Sequence, residues 1–150
     1  MTILVATHPA FERHDTGPGH PERPERLAAV RRGLEASGVR DAFVHIEPEP
    51  APMEALTAVH PGRYVQALSE LTATGGGWID GDTVVVEESY EAALLAAGAG
   101  LDVAARLRAG EADAAFCAVR PPGHHATPSR SMGFCLLNNV AVTARHLAAA

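Results

Sequence analysis

The chain has 150 residues, 47% of them hydrophobic, and a formal charge of -6, which is enough apolar content for one domain with a sizeable core. Its 12 basic residues are all arginines, are outnumbered by 18 acidic ones and do not cluster in sequence; this argues against a polybasic nucleic-acid wrapper or a membrane-surface protein. The composition also excludes a fibrous repeat, a disulfide scaffold and a typical disordered chain.

Thr2–Thr7 is a short apolar run stopped by His8-Pro9, as expected of a buried parallel strand. Phe11–Pro24 follows, with Gly17-Pro18-Gly19 beside His14 and His20. That composition opposes regular structure and predicts a shaped surface loop. From Pro24 to Ser37-Gly38, Leu27, Val30 and Leu34 recur at helical spacing with charged residues opposite. Ala42–Ile46 then reads as a strand closed by Glu47-Pro48-Glu49-Pro50. These three segments predict a β-α-β unit.

Pro52–His60 is expected to hold a short helix and Pro61–Thr74 a longer one with Tyr64, Leu68 and Leu71 on its apolar face, stopped by Gly75-Gly76-Gly77. Trp78–Glu88 has a strand-like core at Thr83–Val86, with an extended loop as the alternative. Ser89 is expected to cap a helix over Tyr90–Leu107, whose alanines suit close packing and whose Gly98 and Gly100 weaken it locally. Ala114–Val119 is the cleanest candidate for a second central strand. Arg120-Pro121-Pro122-Gly123-His124-His125 begins directly after it, so the densest polar constellation lies at a strand's carboxyl end, where α/β sheets form ligand crevices. Met132–Ala150 carries a helical pattern of Leu137, Val140, Ala141, Ala144 and Leu147 that runs straight into the terminus, and the expectation is that 150 residues are a fragment.

Cys117 and Cys135 could pair in principle. Met1–Thr7, however, lacks the basic and apolar regions of a secretory signal, so a reduced, cytoplasmic protein is expected. His124-His125 admits a structural reading, in which the imidazoles satisfy backbone groups, and a catalytic one. In the catalytic reading one imidazole faces a pocket as general base while a buried carboxylate tunes the other. A metal pair is disfavoured, because adjacent side chains on extended backbone point to opposite sides and the spacing is not that of a helical HExxH. Cys135 lies in an apolar run and is read as a buried structural thiol rather than a nucleophile. Phe134 is read as core or as a pocket wall, His14-Asp15 as a turn cap, and Arg26 as solvent-facing or held inward. No GxGxxG, Walker A, CxxC or EF-hand run is present.

Five stretches together resemble the zinc-dependent deacetylase family, which comprises histone deacetylases, acetylpolyamine amidohydrolases and acetoin-utilisation proteins. They are His20-Pro21-Glu22-Arg23-Pro24-Glu25-Arg26-Leu27, His60-Pro61 with Tyr64, Asp82-Thr83 through Ser89-Tyr90-Glu91-Ala92-Ala93, Arg120 to Ala126, and Gly133-Phe134-Cys135-Leu136-Leu137-Asn138-Asn139. The resemblance implies an α/β, arginase/deacetylase-like three-layer fold with a mainly parallel sheet between helices, incomplete in this chain. Residues 1–150 would form the amino-terminal half of the catalytic domain. His125 would be the general base and then acid, and His124 its electrostatic assistant. Phe134 and Gly133 would line an acyl-lysine tunnel, with Cys135 near its floor. Arg26 would be the buried arginine of an inner acetate channel, and His20 and His14 would lie near the rim.

The implied reaction is zinc-dependent hydrolysis of an acetyl amide, in an acetylated lysine peptide or an acetylated polyamine, to acetate and free amine. No direct nucleic-acid or membrane partner is implied. The Zn(2+) ligands of the family have no counterpart among these residues and are expected in the missing carboxyl-terminal half, so the 150-residue segment alone is expected to be inactive. The alternative is a catalytically incomplete module that binds an acylated ligand or a protein.

Overall fold

The computed structural model describes residues 1–149. Three of the short apolar runs become one parallel sheet: β1 (Ile3–Ala6), β2 (Phe43–Ile46) and β5 (Ala114–Cys117), in the order β2-β1-β5. Val5 sits level with His45 on one side and Phe116 on the other. The centre of this sheet is therefore β1. The expectation that Ala114–Val119 is central is corrected: among the described residues β5 is an edge strand, and Phe116 stays 45% exposed.

Between the strands run α1 (Ala10–Arg13), α2 (Glu25–Glu35), α3 (Met53–Thr57), α4 (Gly62–Ala73), a hairpin of β3 (Gly77–Trp78) and β4 (Val84–Val85), and α5 (Ser89–Arg108); α6 (Asn139–Ala149) follows β5. The single turn of α1 interrupts the segment expected to be irregular, and the Thr83–Val86 run is a two-residue strand paired antiparallel with Gly77–Trp78. Leu27, Val30 and Leu34 of α2 lie over Val5, Phe43 and His45 on one sheet face. Ala99 and Val103 of α5 pack on Leu4, Ala6, Ala115 and Cys117 of the other. Helix, sheet and helix form the three layers of an α/β fold.

The main core gathers Leu56, Val65, Leu68, Val85, Ala97, Leu136 and Val142 from five elements and the loop before α6. Each fully buried Leu or Val contributes about 1.5–3 kcal/mol. Gly98 has a purpose the sequence does not disclose. A Cβ there would overlap the Glu49 carbonyl and come within 2.8 Å of the Ala51 nitrogen, so glycine lets the β2–α3 connection lie directly on α5. The Ala51 N–H then donates to the Leu94 carbonyl (3.0 Å). Among the described residues no helix is long and apolar enough to cross a membrane. Because all three sheet strands run parallel, their carboxyl ends share one edge, and the loops after β1 and β5 meet there.

Candidate active site

The loop after β5 turns sharply at Gly123–Ala126, where the Ala126 N–H donates to the Gly123 carbonyl (3.1 Å). His124 and His125 are the two central residues of that turn, with ring centroids 4.3 Å apart and planes at 46°. The expectation of extended backbone with opposed side chains is corrected: the turn brings both imidazoles to one side. Both are exposed. Among the described residues neither ring has a hydrogen-bond or ion-pair partner at its nitrogens. His125 is held from behind by Cys135, whose Sγ accepts its backbone N–H (3.4 Å), and by Gly133, where a Cβ would stand 2.9 Å from the imidazole.

Gly133 and Phe134 both have positive φ, 56° and 68°. Met132 and Cys135 exchange backbone hydrogen bonds of 3.1 and 3.0 Å across them. Two positive φ values inside a reciprocal pair make a type I′ turn. This turn displaces the predicted helix start from Met132 to Asn139. Asn138 ends the loop: its Oδ1 accepts the Ala141 N–H (2.9 Å) and its Nδ2 donates to the Ala126 carbonyl (2.8 Å). The Asn138 N–H donates to Nε2 of His60 (2.9 Å), whose Nδ1–H donates to the Pro128 carbonyl (2.8 Å), which fixes that ring's tautomer. Below it, the Tyr64 hydroxyl donates to the Leu136 carbonyl and meets Ser131 Oγ at 2.6 Å; burial raises its pKa.

The type I′ turn presents Phe134 to a groove of about 610 Å³ whose lining includes His20, Trp78, Asp82 and Asp15. The His20 ring meets Phe134 edge-on at 5.0 Å and Trp78 at 6.5 Å, and its Nε2 donates to the Asp82 carbonyl (3.0 Å). Asp15 accepts the Gly17 N–H (2.9 Å), the turn-capping role expected of it. His124 borders a different space, an apolar groove of about 600 Å³ between α5 and α6.

Behind the site lies a buried ionic knot. Arg120 is fully buried and grips Glu22 with two hydrogen bonds, Nε to Oε1 (2.7 Å) and Nη2 to Oε2 (2.8 Å). It also donates to the carbonyls of Phe11 (2.6 Å) and His14 (2.9 Å). Arg26 reaches the same carboxylate (3.0 Å) but its side chain is 52% exposed. Among the described residues Arg120 is the fully buried arginine, held between Glu22 and the carbonyls of Phe11 and His14, while Arg26 approaches the same carboxylate from outside.

His14 is likewise corrected from a rim position: it is 1% exposed. Its Nδ1 meets Ser89 Oγ at 2.7 Å and its Nε2 faces Glu22 at 3.6 Å. The Glu22 carboxylate only accepts, so the neutral imidazole carries its proton on Nε2 and Nδ1 accepts the Ser89 hydroxyl, whose oxygen also accepts the Val86 N–H (2.8 Å). The hydroxyl is thereby spent outside the helix, and the expectation that Ser89 caps α5 is corrected: no side chain caps that end.

Burial lowers the His14 pKa from 6.5 to about 4, against the pull of Glu22. Between those values the unfolded chain binds a proton that the fold does not. Stability is thus full above pH 6.5 and falls as pH drops to 4, by about 3 kcal/mol in total at ~1.4 kcal/mol per unit. Urea unfolding at pH 7, 5.5 and 4.5 should show this loss, and a His14→Gln variant should flatten it.

Cys135 and Cys117 are free thiols, both with pKa raised by burial. That suits the structural reading of Cys135, since a raised pKa depletes the nucleophilic thiolate. Among the described residues no three His, Cys, Asp or Glu side chains converge to hold a metal. The structure thus joins His125 to Gly133 and Cys135, joins His20 to Phe134 and Asp82, and leaves Arg26 outside on the ionic knot. Sequence reasoning assigned no role to Glu22, Arg120, His60 or Thr83. The available signal was an arginine directly after the apolar run Ala114–Val119 and a glutamate within Pro21-Glu22-Arg23-Pro24.

Residues 20–150 match the family model described as histone deacetylase domain. A probable deacetylase of Archaeoglobus fulgidus is 39% identical over 149 residues, 98% of this chain and 41% of that protein. A histone deacetylase-like amidohydrolase of Pseudomonas aeruginosa is 39% identical over 124 residues, 83% of this chain and 33% of its own length. The crystal structure of the HDA15 HD domain superposes with a TM-score of 0.90 at 34% identity, covering 99% of this chain and 43% of the other. The chain spans under half the length of these relatives.

Proposed function

The chain belongs to the histone deacetylase domain family, and from that premise we propose that the protein hydrolyses acetyl amides to acetate and free amine, residues 1–150 supplying the amino-terminal half of the catalytic domain. The observation that carries this reading is the turn at His124-His125, which holds two exposed imidazoles side by side at the carboxyl edge of a parallel sheet, backed by Gly133 and Cys135. In the proposed reaction His125 takes a proton from water as its oxygen bonds to the acetyl carbon. It returns that proton to the amide nitrogen as the C–N bond breaks. His124, beside it, stabilises the charge that develops on the oxygen. Phe134 and Gly133 flank the acyl chain, His20 stands at the rim, and Cys135 supports the wall from within. Arg26, half-exposed here, is proposed for the inner acetate channel.

The family resemblance implies Zn(2+). The described residues do not fit it, because no three candidate ligands converge; the proposed metal therefore needs ligands outside them. The second reading is a catalytically incomplete module that binds an acylated ligand or a protein without hydrolysing it.

The two readings separate when the full-length protein is titrated with an acetyl-lysine peptide and with an acetylated polyamine while acetate is assayed. Turnover of either supports hydrolysis, and the ratio of kcat/KM values assigns the substrate. Saturable binding without acetate supports the binding module.

A further inference from the structure

We propose that Thr83 is a positioning residue whose single hydroxyl fixes both walls of the groove at Phe134 and Asp82. Thr83 is fully buried where the β3–β4 hairpin enters β4. Its backbone is already committed: the N–H donates to Asp80 Oδ1 (2.8 Å) and the carbonyl accepts the Ile79 N–H (2.9 Å). The hairpin therefore aims the side chain. Oγ1 accepts the Phe134 N–H (3.2 Å) and donates its only proton to Asp82 Oδ1 (3.2 Å).

Those two contacts differ in what they secure. Phe134 has φ 68°, a region that a bulky L-residue leaves unless something holds it. The Thr83 oxygen is the hydrogen-bond partner of that residue's amide. Asp82 lines the groove, and its carboxylate is turned by the Thr83 proton. His20 then rests on both walls, with its ring edge-on to Phe134 and its Nε2 on the Asp82 carbonyl. Loss of one hydroxyl therefore loosens the mouth of the groove while leaving the His124-His125 turn in place, and the effect falls on binding more than on chemistry. This inference rests on the reading that the groove admits an acylated amine.

The test compares the full-length protein with its Thr83→Val and Thr83→Ser variants, with Thr83→Ala as a second hydroxyl-free form if the valine variant does not unfold cooperatively. For an acetyl-lysine peptide, T83V raises KM about ten-fold, the scale of one lost hydrogen bond, with kcat within about two-fold. T83S retains both constants. The Phe134 amide exchanges its hydrogen faster in T83V and at the wild-type rate in T83S. Wild-type KM and wild-type exchange in T83V overturn the proposal, as does a T83S variant as impaired as T83V, since the methyl group and not the hydroxyl would then matter. If the wild-type protein releases no acetate, the deacetylase reading fails, and the exchange rates alone decide the role of Thr83.

Discussion

Replacing His125 by alanine in the full-length protein is expected to lower kcat for acetate release by about 10²–10⁴-fold, the usual contribution of a positioned general base. Stability should change little. The ring is exposed, makes no side-chain hydrogen bond among the described residues, and stands beside the His124 ring and the Gly133 backbone. The backbone bond from the His125 N–H to Cys135 Sγ survives the substitution. Exposed substitutions of this kind usually stay within about 0.5 kcal/mol. Activity and stability thus separate, and steady-state kinetics beside a urea titration reads both. His124→Ala should cost less, because its proposed part is electrostatic assistance and not proton transfer. Unchanged kcat in the His125 variant would remove the imidazole from the reaction.

Replacing Arg120 by methionine should have the opposite profile, destabilising the fold by about 3–5 kcal/mol because Glu22 is left as a buried charge without its partner. Two carbonyls, at Phe11 and His14, lose their donor as well. Arg26 does not compensate, since it reaches one carboxylate oxygen from a half-exposed position. A loss of that size consumes much of a typical domain's stability. Removing both charges, in Arg120→Met with Glu22→Leu, should recover much of the loss, because a buried pair contributes little net stability over an apolar pair of like volume. Urea unfolding of the single and double variants measures the difference. Equal destabilisation in both would show that the lost carbonyl contacts, and not the stranded charge, dominate.

The sheet was legible in the chain because Thr2–Thr7, Ala42–Ile46 and Ala114–Val119 are short apolar runs bounded by breakers. The parallel pairing of the first two followed from the helix between them, whereas the central place expected of the third went to β1. What escaped sequence reasoning was set by partners distant in the chain. Ser89 has the composition of a cap, yet His14 and the Val86 N–H claim its hydroxyl. Leu136 and Leu137 continue a helical spacing backward from α6, but they are buried through a type I′ turn held by Thr83, Tyr64 and His60. Arg26 and Arg120 are indistinguishable as residue types. Only the position of Glu22 and two free carbonyls decides which is buried. The tandem histidines were legible as a pair but not as neighbours, since their turn depends on Gly123 and on the approach of Gly133 to the His125 ring.

The most direct test of the central claim is acetate release from an acetyl-lysine peptide by the purified full-length protein, stripped with a chelator and then supplied with Zn(2+), with the His125→Ala variant run in parallel. Equal amounts of acetate and free amine are expected from the zinc-supplied wild type, and at most a hundredth of that rate from the variant, at the lower edge of the ~10²–10⁴-fold range. A zinc-supplied wild type that unfolds cooperatively yet releases no acetate, or a His125 variant that releases it at the wild-type rate, would contradict that claim.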